Sequence, residues 1–226
     1  MSDRYALYEI ENLRDRFALP AGVPAGVKKS YNISPTQTIP AIISKDGVSE
    51  MQRMKWGFVP ANAKNLNSVF RYRTHRANSE GIFNKPTWQA AIRTQRCLIP
   101  ANGFYEWKQA LEGKRAFYIH PTDQSVFALA GIYGSWTDPE GVGWGVCAII
   151  TTATGSESDM LPSRLPVILD PADEADWLNP DISDISTLYK IMRPYDPEKL
   201  AITRVGDEIN SLKVDKPSLI EPFFKK

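Results

Sequence analysis

The chain has 226 residues, with 27 Lys and Arg against 26 Asp and Glu and a formal net charge of +1. Its 42% hydrophobic and 23% charged content is that of a globular protein able to bury a sizeable core, which excludes a disordered or fibrous chain. No apolar run approaches the ~18 residues of a membrane span, MSDRYALYEI is no signal peptide, and the balanced charge argues against DNA binding through overall charge while leaving room for a local basic groove.

In chain order, Tyr8–Phe17 reads as a short amphipathic helix with Ile10, Leu13 and Phe17 on one face. Ala21–Lys29 is a Pro/Gly loop. Ile39–Ser44 and Met51–Lys55 are predicted strands around the Asp46-Gly47 turn, a hairpin signal. Asn62–Asn78 is polar, basic and aromatic and is expected to be irregular. Pro86–Thr94 is predicted as a helix opened by its proline, burying Trp88, Ala91 and Ile92. Cys97–Ile99, Ala116–His120, Val126–Ser135 and Gly145–Thr152 are predicted strands, and Val167–Leu169 a short one. Asp170-Pro171 opens a helix ending near Leu178, and Ser183–Met192 is a further helix. About seven strands and four helices without βαβ alternation predict an α+β fold, mostly antiparallel and barrel-like, with flanking helices. No repeat or linker divides the chain, so one domain over 1–226 is expected.

Two cysteines, Cys97 and Cys147, sit in apolar strand-like runs without a Cys-x-x-Cys spacing. They are expected to be buried, inert thiols in a reducing cytoplasm. His75 and His120 are the only histidines, which leaves no His-rich metal site, and His120 reads as a strand-end residue. No Walker loop, dinucleotide fingerprint or Gly-x-Ser-x-Gly elbow is present. No cofactor or metal is called for.

Two stretches carry chemistry. Arg71-Tyr72-Arg73-Thr74-His75-Arg76 follows Phe70 and precedes Lys85, Arg93 and Arg96. Interleaved cations and rings suit single-stranded nucleic acid, the cations meeting phosphates and the rings stacking on bases. The plainer reading is a solvated loop that neutralises local carboxylates. In Pro100–Lys108, Glu106 lies between Tyr105 and Trp107. Strand alternation puts Phe104 and Glu106 on one face, and apolar surroundings would raise the carboxyl pKa and suit acid–base work. The plainer reading is an edge strand with a surface Glu.

Six stretches, in order, resemble the SRAP family (SOS response-associated peptidase, the abasic-site-processing proteins). They are Arg4-Tyr5, Tyr31-Asn32-Ile33-Ser34-Pro35-Thr36-Gln37, Trp56-Gly57-Phe58-Val59-Pro60, Arg96–Pro100 running into Gly103–Lys108, Ser163–Leu169 and Leu219–Pro222. The resemblance implies a sensor of abasic sites in single-stranded DNA. In the family a cysteine exposed by removal of the initiating Met attacks the ring-opened sugar aldehyde, and its amine and thiol close a thiazolidine crosslink. An Asn of an Asn-Ala-Arg motif, the Glu of Phe-Tyr-Glu-Trp and a His before Arg-Met-Pro assist.

The chain departs from that pattern at the reactive positions. Met-Cys-Gly-Arg becomes Met1-Ser2-Asp3-Arg4, Arg76 and Asn78 exchange the Asn and Arg places, and Pro162 stands where the His is expected. Glu106 alone matches in full. A serine hydroxyl is a weak nucleophile, but the α-amine of a processed Ser2, with an intrinsic pKa of about 7.7–8.0, can still form a Schiff base. The resemblance therefore makes Ser2 and Glu106 the catalytic candidates, and Arg4, Asn32, Trp56, Arg71, Arg73, Arg76, Asn78, Lys108 and Arg164 the DNA-binding candidates. It implies a monomeric partner of single-stranded DNA, abasic sites included, with no membrane and with weakened or absent crosslinking. The alternative is a degenerate paralogue that only grips DNA or a protein.

Overall fold

The computed structural model describes residues 3–59, 65–111, 113–123, 125–155 and 161–224. Ser2 lies outside them. Among the described residues, the elements in chain order are β1 (Tyr5–Leu7), α1 (Leu13–Arg16), β2 (Ser30–Ile33), β3 (Thr38–Lys45), β4 (Val48–Trp56), α2 (Asn67–Tyr72), β5 (Arg76–Asn78), α3 (Ala91–Thr94) and β6 (Arg96–Ala101). They continue with β7 (Gly103–Ala110), β8 (Gly113–Pro121), β9 (Phe127–Thr137), β10 (Gly143–Ala153), β11 (Arg164–Pro166), α4 (Glu174–Leu178), α5 (Ile185–Ile191) and β12 (Leu200–Arg204).

The architecture is the α+β, barrel-like one expected. β10, β4, β3, β6 and β9 form a ring that closes because β9 also pairs with β10. Only the β4–β10 contact in that ring is parallel. The β3–β4 hairpin turns through Asp46 (φ 52°) and Gly47 (φ 77°), the pair of positive φ values that a two-residue hairpin loop demands. β9 and β10 part beyond Gly131 and Ile149, where Val167 enters between them: its N–H donates to the Ile150 carbonyl and its own carbonyl accepts from Ala130 N–H.

A second sheet, antiparallel throughout, runs β12-β8-β7-β1-β2. The chain crosses to it from the barrel between β6 and β7. Asn102 holds that crossing, donating its N–H to the Ala6 carbonyl and accepting the Tyr8 and Glu9 amides on Oδ1 at 2.8 and 3.1 Å. Alternation along β7 sends Phe104 into the barrel core and Tyr105 and Trp107 into a second cluster with Tyr118, Val205, Ile209 and Leu219.

Several expectations need correction. Helix over Tyr8–Phe17 shrinks to α1, because Asn102 takes up the Tyr8 and Glu9 amides and Tyr8 stacks on Tyr31. Leu13 and Phe17 are nonetheless buried. The stretch read as irregular, apart from 62–64 outside the described residues, contains α2 and β5; Arg73 ends the helix in a left-handed conformation and β5 pairs in parallel with β10. Only α3 of the Pro86–Thr94 helix is regular, though Trp88, Ala91 and Ile92 are buried as expected. The short strand lies at β11, one turn of sequence earlier than Val167–Leu169, and the latter bridges β9 and β10 instead. β7 is no edge strand, since β1 and β8 flank it. Cys97 and Cys147 are buried, and burial pushes both thiols up. No helix among the described residues is long and apolar enough to cross a membrane.

Candidate functional site

β1 and β7 run antiparallel with Tyr5 opposite Phe104 and Ala6 opposite Gly103. The Tyr105 N–H donates to the Arg4 carbonyl at 3.0 Å, which carries the register one residue further. Extended one residue further, that register sets Asp3 opposite Glu106. Glu106 has no solvent exposure. Burial pushes its carboxyl up to about 7, the Asp3 charge acts in the same direction, and the Arg76 charge opposes it. A carboxyl poised there can give or take a proton near neutrality.

Asp3 is held from the other side. His75 Nε2 lies 2.7 Å from its Oδ1, and Arg76 Nη1 donates to the same oxygen at 3.0 Å. Partial burial alone would raise the Asp3 pKa, but the hydrogen bond and charge of His75 and the charge of Arg76 carry it below the ordinary value. His75 is itself buried, its ring edge-on to Trp56, while its carbonyl accepts the Trp56 indole N–H at 2.8 Å and the Ile149 N–H at 3.0 Å.

Of the predicted residues, Arg4, Trp56 and Arg76 line one small, largely buried cavity of about 10 Å³ with Tyr5, Phe104 and Thr151. Trp56 forms its buried floor. Arg4 donates to Asn32 Oδ1 (2.8 Å) and the Ile209 carbonyl (3.2 Å), and the buried Asn32 amide donates to the Ser211 and Val214 carbonyls, so Asn32 ties the N-terminal strand to the C-terminal segment. Asn78 accepts the Thr151 hydroxyl (3.2 Å). Arg164 forks onto both Glu80 oxygens at 3.1 and 2.8 Å and donates to the Thr151 carbonyl. Lys108 follows Glu106 on the same face of β7, its ammonium above the Phe117 ring. Arg71 and Arg73 do not line this cavity among the described residues. They are exposed at the end of α2, beside a wider cleft of about 560 Å³ lined by Phe58, Tyr72, Thr74, Lys85 and Trp88.

Arg96 leaves the cationic stretch altogether. It is buried, donates to the carbonyls of Ile92, Arg93, Trp177 and Asn179, and is pulled down to about 10 by burial. Asp3, His75 and Glu80 were not singled out by sequence reasoning. Asp3 and His75 are 72 residues apart and meet only through the fold, though Asp3 was visible as a departure from glycine in the resembled motif.

The fold and cavity together define a β-barrel protein with a buried acid facing the start of its first strand. The chain belongs to the SRAP (SOS response associated peptidase) family, whose model matches residues 1–212. It is 33% identical, over 98% of its length and 99% of the relative's, to "Abasic site processing protein YoqW" of Bacillus subtilis. Gallus gallus "Abasic site processing protein HMCES" is 28% identical over 86% of this chain and 66% of that protein. A crystal structure of a protein from Bacteroides thetaiotaomicron shares the fold, with a TM-score of 0.85 and 25% identity over 98% of this chain and all of that one.

Proposed function

We propose that the protein engages single-stranded DNA at abasic sites and reacts with the ring-opened aldehyde through the α-amine of Ser2, once Met1 is removed. The product is a reversible Schiff base rather than a durable ring, because the chain has no thiol at that position. Glu106 is the acid–base group. The observation that carries this reading is a fully buried carboxyl, poised at about 7, directly across the strand pair from Asp3, the neighbour of Ser2. The exposed cations of the α2 end, Arg71 and Arg73, supply phosphate contacts.

The test is the intact mass of the Met1-processed protein with abasic single-stranded DNA, with and without borohydride. The expected result is an adduct fixed by borohydride and lost on heating without it. The absence of any trapped adduct, with DNA binding retained, would favour the alternative of a binding-only paralogue, to which the replacement of the motif histidine by Pro162 also points. A heat-stable adduct without borohydride would overturn the reversible chemistry.

A further inference from the structure

The β1–β7 register, extended through the Tyr105–Arg4 hydrogen bond, sets Asp3 opposite Glu106, and nothing in the reaction proposed above uses it. Its side chain is about half exposed, yet it is gripped by two groups from β5 and the residue before it: His75, whose side chain is 4% exposed, and Arg76, at 10%. The grip is built. His75 is fixed by Trp56 and by its backbone bond to β10, and its other ring nitrogen, Nδ1, is buried with no partner among the described residues, which leaves Asp3 as the ring's polar contact.

We propose that Asp3 is a positioning residue for the chemistry at Glu106: a carboxylate clamped by His75 and Arg76 that fastens the chain before β1 and holds a negative charge across from the Glu106 carboxyl. This rests on the amine–aldehyde reading. In that reaction the neutral amine adds to the aldehyde carbon to give a carbinolamine. Its hydroxyl then leaves as water: the C–O bond breaks, the nitrogen lone pair forms C=N, and the proton comes from the Glu106 carboxyl, which becomes a carboxylate beside the iminium. An ordinary carboxylic acid is ionised at neutral pH and cannot donate that proton. A fixed negative charge opposite Glu106 keeps the acid form available. The charged and titratable groups facing this pair are Arg4 beside Asp3, His75, and Arg76.

The experiment follows the Glu106 carboxyl by carbon NMR through a pH titration of the DNA-free protein, in the unaltered chain and in Asp3→Asn, Asp3→Glu and His75→Gln. In Asp3→Asn the Glu106 midpoint should fall by about half a pH unit or more, because a repelling charge is lost and Arg76 is released. His75→Gln should move it the same way, and Asp3→Glu should keep most of the original value. The pH profile for borohydride-trapped adduct should shift in step. A Glu106 midpoint unmoved in Asp3→Asn overturns the assignment, as does one unmoved in His75→Gln should Asp3→Asn fail to fold. If the unaltered protein gives no trapped adduct, the amine–aldehyde reading falls, and the titration still decides the role of Asp3.

Discussion

At the scale of single residues, a buried acid has a cost that pH reveals. Glu106 titrates at about 7 in the fold against an ordinary 4.5, with burial as the main cause. The folded state therefore binds this proton more tightly than the unfolded chain. Stability linked to Glu106 is fully present below about pH 4.5, falls as pH rises, and is lost once pH passes about 7. Replacing it with the neutral Glu106→Gln should leave stability at about pH 4 nearly unchanged and raise it at about pH 8 by up to about 3 kcal/mol, measured by urea unfolding. The same variant should slow borohydride-trapped adduct formation by about 10²-fold or more, the usual worth of general acid–base help. A variant no more stable at pH 8 than the parent would mean that the carboxyl is not strained by its surroundings. Ser2→Cys makes the complementary change. It restores an aminothiol and should convert the reversible adduct into one that survives heat without borohydride, read by denaturing gel. An unaltered chain that already matches it would show that the amine alone suffices.

At the scale of elements, the β6–β7 crossing decides where Glu106 lies. Gly103 opens β7 with the ring of Tyr118 directly against its α-carbon, so that a β-carbon there would overlap the ring and its hydroxyl. Gly103→Ala should destabilise the fold by about 2–3 kcal/mol through overpacking, and loss of less than about 0.5 kcal/mol would show that Tyr118 can yield. This crossing was legible in the sequence only as a motif, Gly103–Lys108. The β3–β4 hairpin was legible from local chemistry, because Asp46-Gly47 names its own turn. β1, β2 and β12 were not, being strands of three to five residues whose partners lie far along the chain. The site divides the same way. Glu106 could be read from its motif, whereas the Asp3–His75–Arg76 clamp could not, since no short-range pattern links residue 3 to residues 75 and 76. Arg96 shows the converse error: its type suggested phosphate, while the fold uses four of its five N–H donors on backbone carbonyls.

At the scale of the whole molecule, a net charge of +1 leaves little long-range field, so any grip on DNA must come from cations that the fold does not consume. Many are consumed. Arg16 pairs with Glu174, Arg164 with Glu80, and Arg193 with Asp173. Arg71 and Arg73 are exposed without an ion pair among the described residues, beside the exposed rings of Phe70 and Tyr72. They stand next to the wider cleft rather than the small cavity above Trp56. Binding to single-stranded DNA should accordingly weaken steeply with salt, with a slope in log K against log[salt] of about 0.7 per phosphate neutralised. Replacing both Arg71 and Arg73 with Ala should shallow that slope by about 1–2 and cost less than about 0.5 kcal/mol of stability, because neither side chain supports the core. Arg76→Ala should differ in kind, since it frees Asp3 and so moves the pH profile of adduct formation as well as affinity. An identical salt slope for the Arg71 and Arg73 double variant would remove the α2 end from the DNA path.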